Sequence, residues 1–198
     1  MTGRGAAVTG LEDEAAMWKV LHDLFRLPQE AQWRWLHEEP TRRAFALLSA
    51  GAGLMLPATF AQYEQDYLAA FEVGLPHPPA PLIESHWRRS DPPGRVLHRN
   101  LLFYRRFGLE LRRPSAENPD HLRCQLELLC HLCRLELRAT SAAKADEAAQ
   151  LARARADFTE RHLASWVPRA AAALAREAEE SWPARWLALL AGCCTPAK

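Results

Sequence analysis

The chain has 198 residues, 48% of them hydrophobic and 25% charged, and its 25 basic and 24 acidic side chains leave a formal charge of +1. Such a chain can bury a large core without metal or disulfide, and its balanced charge excludes a protein built around bulk nucleic-acid binding. Apolar residues recur every three or four positions and alternating runs are scarce. This pattern predicts an all-α, single-domain bundle of roughly eight to ten short helices. The bundle covers residues 11–192, between flexible ends at 1–10 and 193–198.

The first helix is expected over Leu11 to Phe25, and Pro28 opens a second that carries Trp33 and Trp35. Thr41, after Pro40, reads as the cap of a third, Arg42 to Ala50. Thr59 reads as the cap of a helix through Tyr63, Tyr67 and Phe71 that Gly74 stops. The prolines of Leu75 to Leu82 forbid a regular helix and predict a rigid, extended connector. Asp91, Pro92 and Pro93 start a helix ending at Gly108, and a loop follows from Leu109 to Asn118. Asn118 reads as the cap, and Pro119 as the first residue, of the most apolar helix, whose Leu122, Leu126, Leu129 and Cys133 on one face and Leu128, Leu132 and Leu135 on another mark it as central. A long Ala-rich helix is expected to reach Trp166, Pro168 to start another, and Ser181 with Pro183 to start the last. The two irregular loops bracket one helix.

The beginning of the chain lacks the apolar core of a secretory signal, and the most apolar stretch, Ala44 to Leu56, is too short to span a bilayer. Five cysteines, Cys124, Cys130, Cys133, Cys193 and Cys194, are an odd number in two crowded places. They lack the spread of a secreted disulfide framework, so the expected compartment is the cytoplasm. No phosphate loop, dinucleotide fingerprint, nucleophile elbow or zinc helix is present, which leaves ordinary enzyme classes, a nucleotide hydrolase among them, without their motif. Cys130-His131-Leu132-Cys133, with Cys124 before it, has the spacing of a metal or redox site, yet cysteine is also a common small core residue. A small Cys/His metal-binding or redox-sensing helical protein is therefore the alternative function.

Two further features carry chemistry. Arg88, Arg89, Arg95, Arg99, Arg105, Arg106, Arg112 and Arg113 face only Asp91 and Glu110 in the same stretch. They form either a solvated face or a contact for an anion or acidic peptide. In Glu117-Asn118-Pro119-Asp120-His121-Leu122, a carboxylate in the first helical turn is explained by capping, while an Asp and His at a helix entrance after a long loop also suit a ligand.

At this hexapeptide the sequence resembles the TorD/DmsD/NarJ family of redox-enzyme maturation chaperones. Tyr67, Phe71 and Gly74, then Pro81, Leu82, Glu84 and Ser85, are similar to the family's tyrosine helix, proline linker and Glu-Ser helix start. Tyr104, Arg105, Phe107, Gly108 and Leu109 resemble its aromatic helix end. Glu117, Pro119, Asp120, His121, Leu122, Leu126 and Glu127 resemble its central signature, and Phe158, His162, Leu163, Trp166 and Pro168 its later one. Gln125 stands where the family usually has a glutamate, and Leu128 and Leu129 replace a Phe-Met pair. The flavour is similar to the branch serving dimethyl sulfide, ethylbenzene, chlorate and selenate enzymes.

The resemblance implies a cytoplasmic chaperone, not an enzyme and with no cofactor of its own. Its partner would be the apo catalytic subunit of a molybdopterin oxidoreductase, bound usually through the twin-arginine leader and held for cofactor insertion before export. An apolar leader would dock between helices, with acidic or hydrogen-bonding groups at the mouth for its arginines. Glu84, Glu117 and Asp120 are expected near that cationic leader, His121 as a hydrogen-bonding or ring contact, and Trp87 with Phe103 as apolar surface. Ser85, Pro119 and Glu127 complete the expected site. The connector permits a domain-swapped dimer as well as a monomer.

Overall fold

The computed structural model describes residues 10–48, 56–110 and 118–194. Those residues form α1 (Leu11–Leu24), α2 (Glu30–His37), α3 (Glu39–Leu48), α4 (Phe60–Phe71), the single turn α5 (Glu84–Trp87), α6 (Pro93–Arg106) and α7 (Leu122–Ser141). They continue with α8 (Ala145–Phe158), a π-helical turn (Thr159–Leu163), α9 (Ala164–Ala178) and α10 (Trp182–Cys194). The only extended pairing among them is one antiparallel bridge, Ile83 to His121. The all-α expectation holds, and no described helix is long and apolar enough to cross a membrane.

The central position expected for α7 is found. It packs between α1 and α8, and its leucines at 122, 126, 128, 129 and 132 are wholly buried. A helix apolar on two sides has nowhere to sit but between neighbours. Arg155 of α8 binds Glu136 of α7 at 3.1 Å and also Glu14 of α1, which ties the three helices at one point. A second core is aromatic: Tyr63 of α4 stacks on Trp182 of α10 at 4.7 Å, and Trp182 meets Trp186 at 4.4 Å.

The boundaries depart from expectation where prolines and caps were read. Pro40 and Thr41 lie inside α3, which begins at Glu39, since a proline in a first turn gives up no hydrogen bond. Thr59 does cap α4, accepting from the Gln62 amide at 3.3 Å. The cap of α7 is His121 rather than Asn118, and Asp120 precedes the helix instead of entering its first turn. Pro168 lies within α9 and starts no new helix; the break in ordinary helical bonding that a proline demands falls in the π-helical turn just ahead of it. Cys193 and Cys194, expected in a loose tail, end α10, with Cys194 buried.

Candidate functional site

The connector and the loop before α7 meet at the Ile83–His121 bridge. The Leu122 amide donates to the Leu82 carbonyl at 2.9 Å, and the Glu84 amide to the Asp120 carbonyl at 3.0 Å. Asp120 Oδ2 accepts from the Ser85 amide at 2.9 Å, so the carboxylate caps α5, the neighbour of its own helix. Trp87 donates its indole N–H to the Pro81 carbonyl at 2.9 Å, closing the short turn on itself.

Beneath this junction lies a polar cluster in an otherwise apolar interior. The Glu84 carboxylate is fully buried. Its Oε2 accepts from Asn100 of α6 at 2.9 Å and from Gln125 of α7 at 2.6 Å, and its Oε1 from Arg88 at 2.9 Å. His162, in the π-helical turn, places Nδ1 2.9 Å from Glu84 Oε2. An ionised carboxylate only accepts, so that ring nitrogen carries the proton. Trp166 donates to Gln125 at 3.2 Å, and Gln125 to the Asn100 carbonyl oxygen at 3.1 Å. Burial pushes the Glu84 carboxyl up, but the hydrogen bonds from His162, Asn100 and Arg88 outweigh it and hold the group below its ordinary value. Arg88 reaches on to Asp91 at 2.6 Å and to the Arg161 carbonyl at 3.0 Å. One carboxylate thus fastens α5, α6, α7 and the π-helical turn ahead of α9.

The expected site residues fall into two groups. Glu84 and Asp120, placed by the sequence beside a cationic leader, are both wholly buried and bonded within the chain, because each satisfies donors that the junction leaves inside. Ser85, Trp87, Phe103, Pro119 and His121 are half-buried and Glu127 is exposed. The Pro119 carbonyl accepts from the Tyr104 hydroxyl, and His121 Nδ1 from the Arg123 amide at 3.2 Å. Glu117 lies outside the described residues.

Trp87 and Phe103 do not share a surface. Trp87 lines a cavity of about 690 Å³ with His77, His86, Arg89, Arg169 and Arg176. Phe103 packs edge-on against Phe158 at 5.0 Å and opens on another side. Glu127 and Glu110 face one small recess with Tyr104, Leu109 and Cys124.

Asn100 and Gln125 did not read as site residues, His162 entered only through its family motif, and Arg88 entered in the arginine run rather than as a partner of Glu84 four residues before it. The separation of the first three from Glu84, up to 78 residues, leaves no trace in local periodicity. The cysteine reading gains no geometry: Cys124, Cys130 and Cys133 are buried, and no group of three or more ligating side chains gathers among the described residues. Burial pushes the Cys130 and Cys133 thiols up to about 12, away from the thiolate a metal or redox reaction needs.

Residues 36–172 match the family described as nitrate reductase delta subunit. The chain is 32% identical over 164 residues to the selenate reductase assembly chaperone protein of Thauera selenatis, which covers 82% of this chain and 77% of that one. It is 32% identical over 155 residues to the chlorate reductase assembly chaperone protein of Ideonella dechloratans, covering 78% and 72%. The perchlorate reductase assembly chaperone protein of Dechloromonas aromatica (strain RCB) is 37% identical over 116 residues, 58% of this chain and 50% of the relative. No solved structure matches the chain. These likenesses define the class of the protein as a maturation chaperone. The chain belongs to the nitrate reductase delta subunit family, the TorD/DmsD/NarJ group that its motifs resemble, and its relatives include the chlorate and selenate branch.

Proposed function

We propose that this chaperone binds the catalytic subunit of a molybdopterin oxidoreductase in the cytoplasm, together with its twin-arginine leader, and holds it for cofactor insertion before export. The relatives named for selenate, perchlorate and chlorate reductases support an oxyanion reductase as the client. The observation that carries the reading is the junction at Ile83 and His121, which brings the Glu-Ser helix start and the central signature to one place.

In this reading Glu84 and Asp120 set the shape of the junction, and the leader touches its outer rim. Ser85, Trp87, Pro119 and His121 supply polar and apolar contacts there, whereas Phe103, which opens on another side, lies outside the leader's path. Glu127 and Glu110 at one edge, with Glu117 between them in sequence, provide the negative charge that twin arginines need. A monomer suffices for this role. The test is an anaerobic pull-down of the tagged chain from its native cytoplasm, read by mass spectrometry. A molybdopterin catalytic subunit recovered with its leader intact is the expected outcome. Recovery of none, with stoichiometric zinc or iron in the bait, would overturn the reading in favour of the cysteine alternative.

A further inference from the structure

The arginine-rich stretch singled out in the sequence is not absorbed by a site for a cationic leader, since like charges repel. The fold gives it a shape. Arg99, Leu102, Phe103 and Arg106 occupy successive positions on one face of α6, at the three- and four-residue spacing that aligns side chains along a helix. Across from them α8 presents Gln150, Arg153, Ala154 and Asp157 at the same spacing, and Arg161 follows in the π-helical turn. A cavity of about 340 Å³ lies between these faces, and one of about 540 Å³, between α6, Arg88 and the π-helical turn, adjoins it at the shared Phe103 and Arg161, so that the two form one trench.

Its charge is one-sided. Arg88 and Arg99 stand at one end, Arg106 and Arg153 at the other, and Arg161 between them. Asp157 is the sole carboxylate among the described lining residues, and it is bonded to Arg161. Arg99 shares Asp91 with Arg88 at 3.4 Å, and Arg88 is bonded to Glu84 as well, so the excess positive charge is greatest at the Arg106 and Arg153 end. The floor is apolar: Leu102 is 52% exposed, and Phe103 lies beside it.

We propose that this trench docks an acidic segment of the client polypeptide carrying an apolar side chain, as a second contact separate from the leader. The inference rests on the proposed chaperone role for its partner, while the surface itself is read from charge complementarity. The faces run about 10 Å along each helix, room for about two helical turns of a bound segment. A bilayer is flat and does not reach a floor set between two helices. A nucleic acid would want open aromatic faces for stacking, whereas Phe103 is engaged by Phe158 at 5.0 Å and by His162 at 5.6 Å. An acidic peptide with Leu or Phe at helical spacing matches both the rim and the floor.

The experiment measures fluorescence anisotropy of the full chain with a labelled synthetic peptide rich in Glu, with Leu at every third or fourth position. Controls are its Lys-for-Glu counterpart, its Ser-for-Leu counterpart, a single-stranded oligonucleotide and a twin-arginine leader peptide. The acidic peptide is expected to bind at about 0.15 M salt, the Lys and Ser forms to bind weakly or not at all, and Arg106→Glu with Arg153→Glu to weaken it about tenfold or more. The neutral pair Arg106→Gln with Arg153→Gln should weaken it less. These side chains are exposed, so unchanged helix content by circular dichroism guards against misfolding. Leader binding should be untouched by either pair. Equal acidic-peptide affinity for the wild-type and charge-reversed chains overturns the inference, as does tighter binding of the oligonucleotide at the same sites. Loss of leader binding by the wild-type chain with the acidic peptide still held would overturn the leader reading alone.

Discussion

Glu84 is the side chain on which the junction depends. An ionised carboxylate removed from water is tolerated only when its oxygens are fully occupied, and here four side chains occupy them. Glu84→Ala leaves His162 without its partner and Arg88 with only Asp91 and the Arg161 carbonyl, and should cost about 3–5 kcal/mol in urea unfolding, while Glu84→Gln, which keeps the shape, should cost clearly less. The folded carboxyl titrates below its ordinary value of 4.5, so the unfolded chain takes up the proton first as pH falls. The stability that Glu84 supplies is therefore complete above about pH 4.5 and is lost as pH drops through the lowered folded value. Unfolding of wild type and Glu84→Gln across pH 3 to 6 should show the wild type losing its advantage at the acid end. Asp120→Ala removes the acceptor of the Ser85 amide, and about 0.5–2 kcal/mol of stability is expected to go with it. If Asp120 acts through the junction, leader affinity per folded molecule should change little in that variant, whereas His121→Ala should weaken the leader directly; isothermal titration separates the two. The sequence made Asp120 and His121 conspicuous as residue types. It did not show which way they face, because the donors that draw Asp120 inward belong to a segment 35 residues away.

At the scale of elements, the helices were legible and their ends less so. The periodic leucines of α7 and the aromatic spacing of α4 were enough to define both helices, since one buried face repeats with the turn. The misplaced ends share a cause: Pro119 and Pro168 each read as a first residue and Pro40 as lying outside its helix, but a proline marks only where a donor is dispensable. That condition holds inside the first turn of α3, ahead of α7, and after the wide turn leading to α9. The π-helical turn has no signature in residue spacing at all, yet it carries His162 to Glu84. Between α7 and α8 the chain turns through Ala143 at φ 55°, a left-handed conformation that costs an L residue energy. Ala143→Gly should relieve that strain, raising stability by about 0.5–1 kcal/mol after the entropy glycine adds to the unfolded chain; a thermal melt reads the gain.

For the molecule as a whole, the near-zero net charge conceals separate fields, arginines along the α6–α8 trench and glutamates at the α6–α7 edge, and composition alone reports only their sum. The cysteines likewise change meaning once packed. With Cys130 and Cys133 buried and their thiols raised to about 12, neither should react with iodoacetamide in the native chain at pH 8, and both should react promptly in denaturant, as counted by mass spectrometry. Rapid native labelling of either would reopen the redox reading. The Glu84 cluster also constrains how this chain can be altered. Gln125 holds Glu84 at 2.6 Å as a donor, and a glutamate there would set a second carboxylate against the first, forcing one of them to keep a proton. Positions 84, 100, 125 and 162 are therefore coupled: a glutamate at 125 beside Glu84 calls for a shared proton or a rearranged donor at a neighbouring position, so the four side chains have to be altered, in any redesign, as one hydrogen-bonded unit.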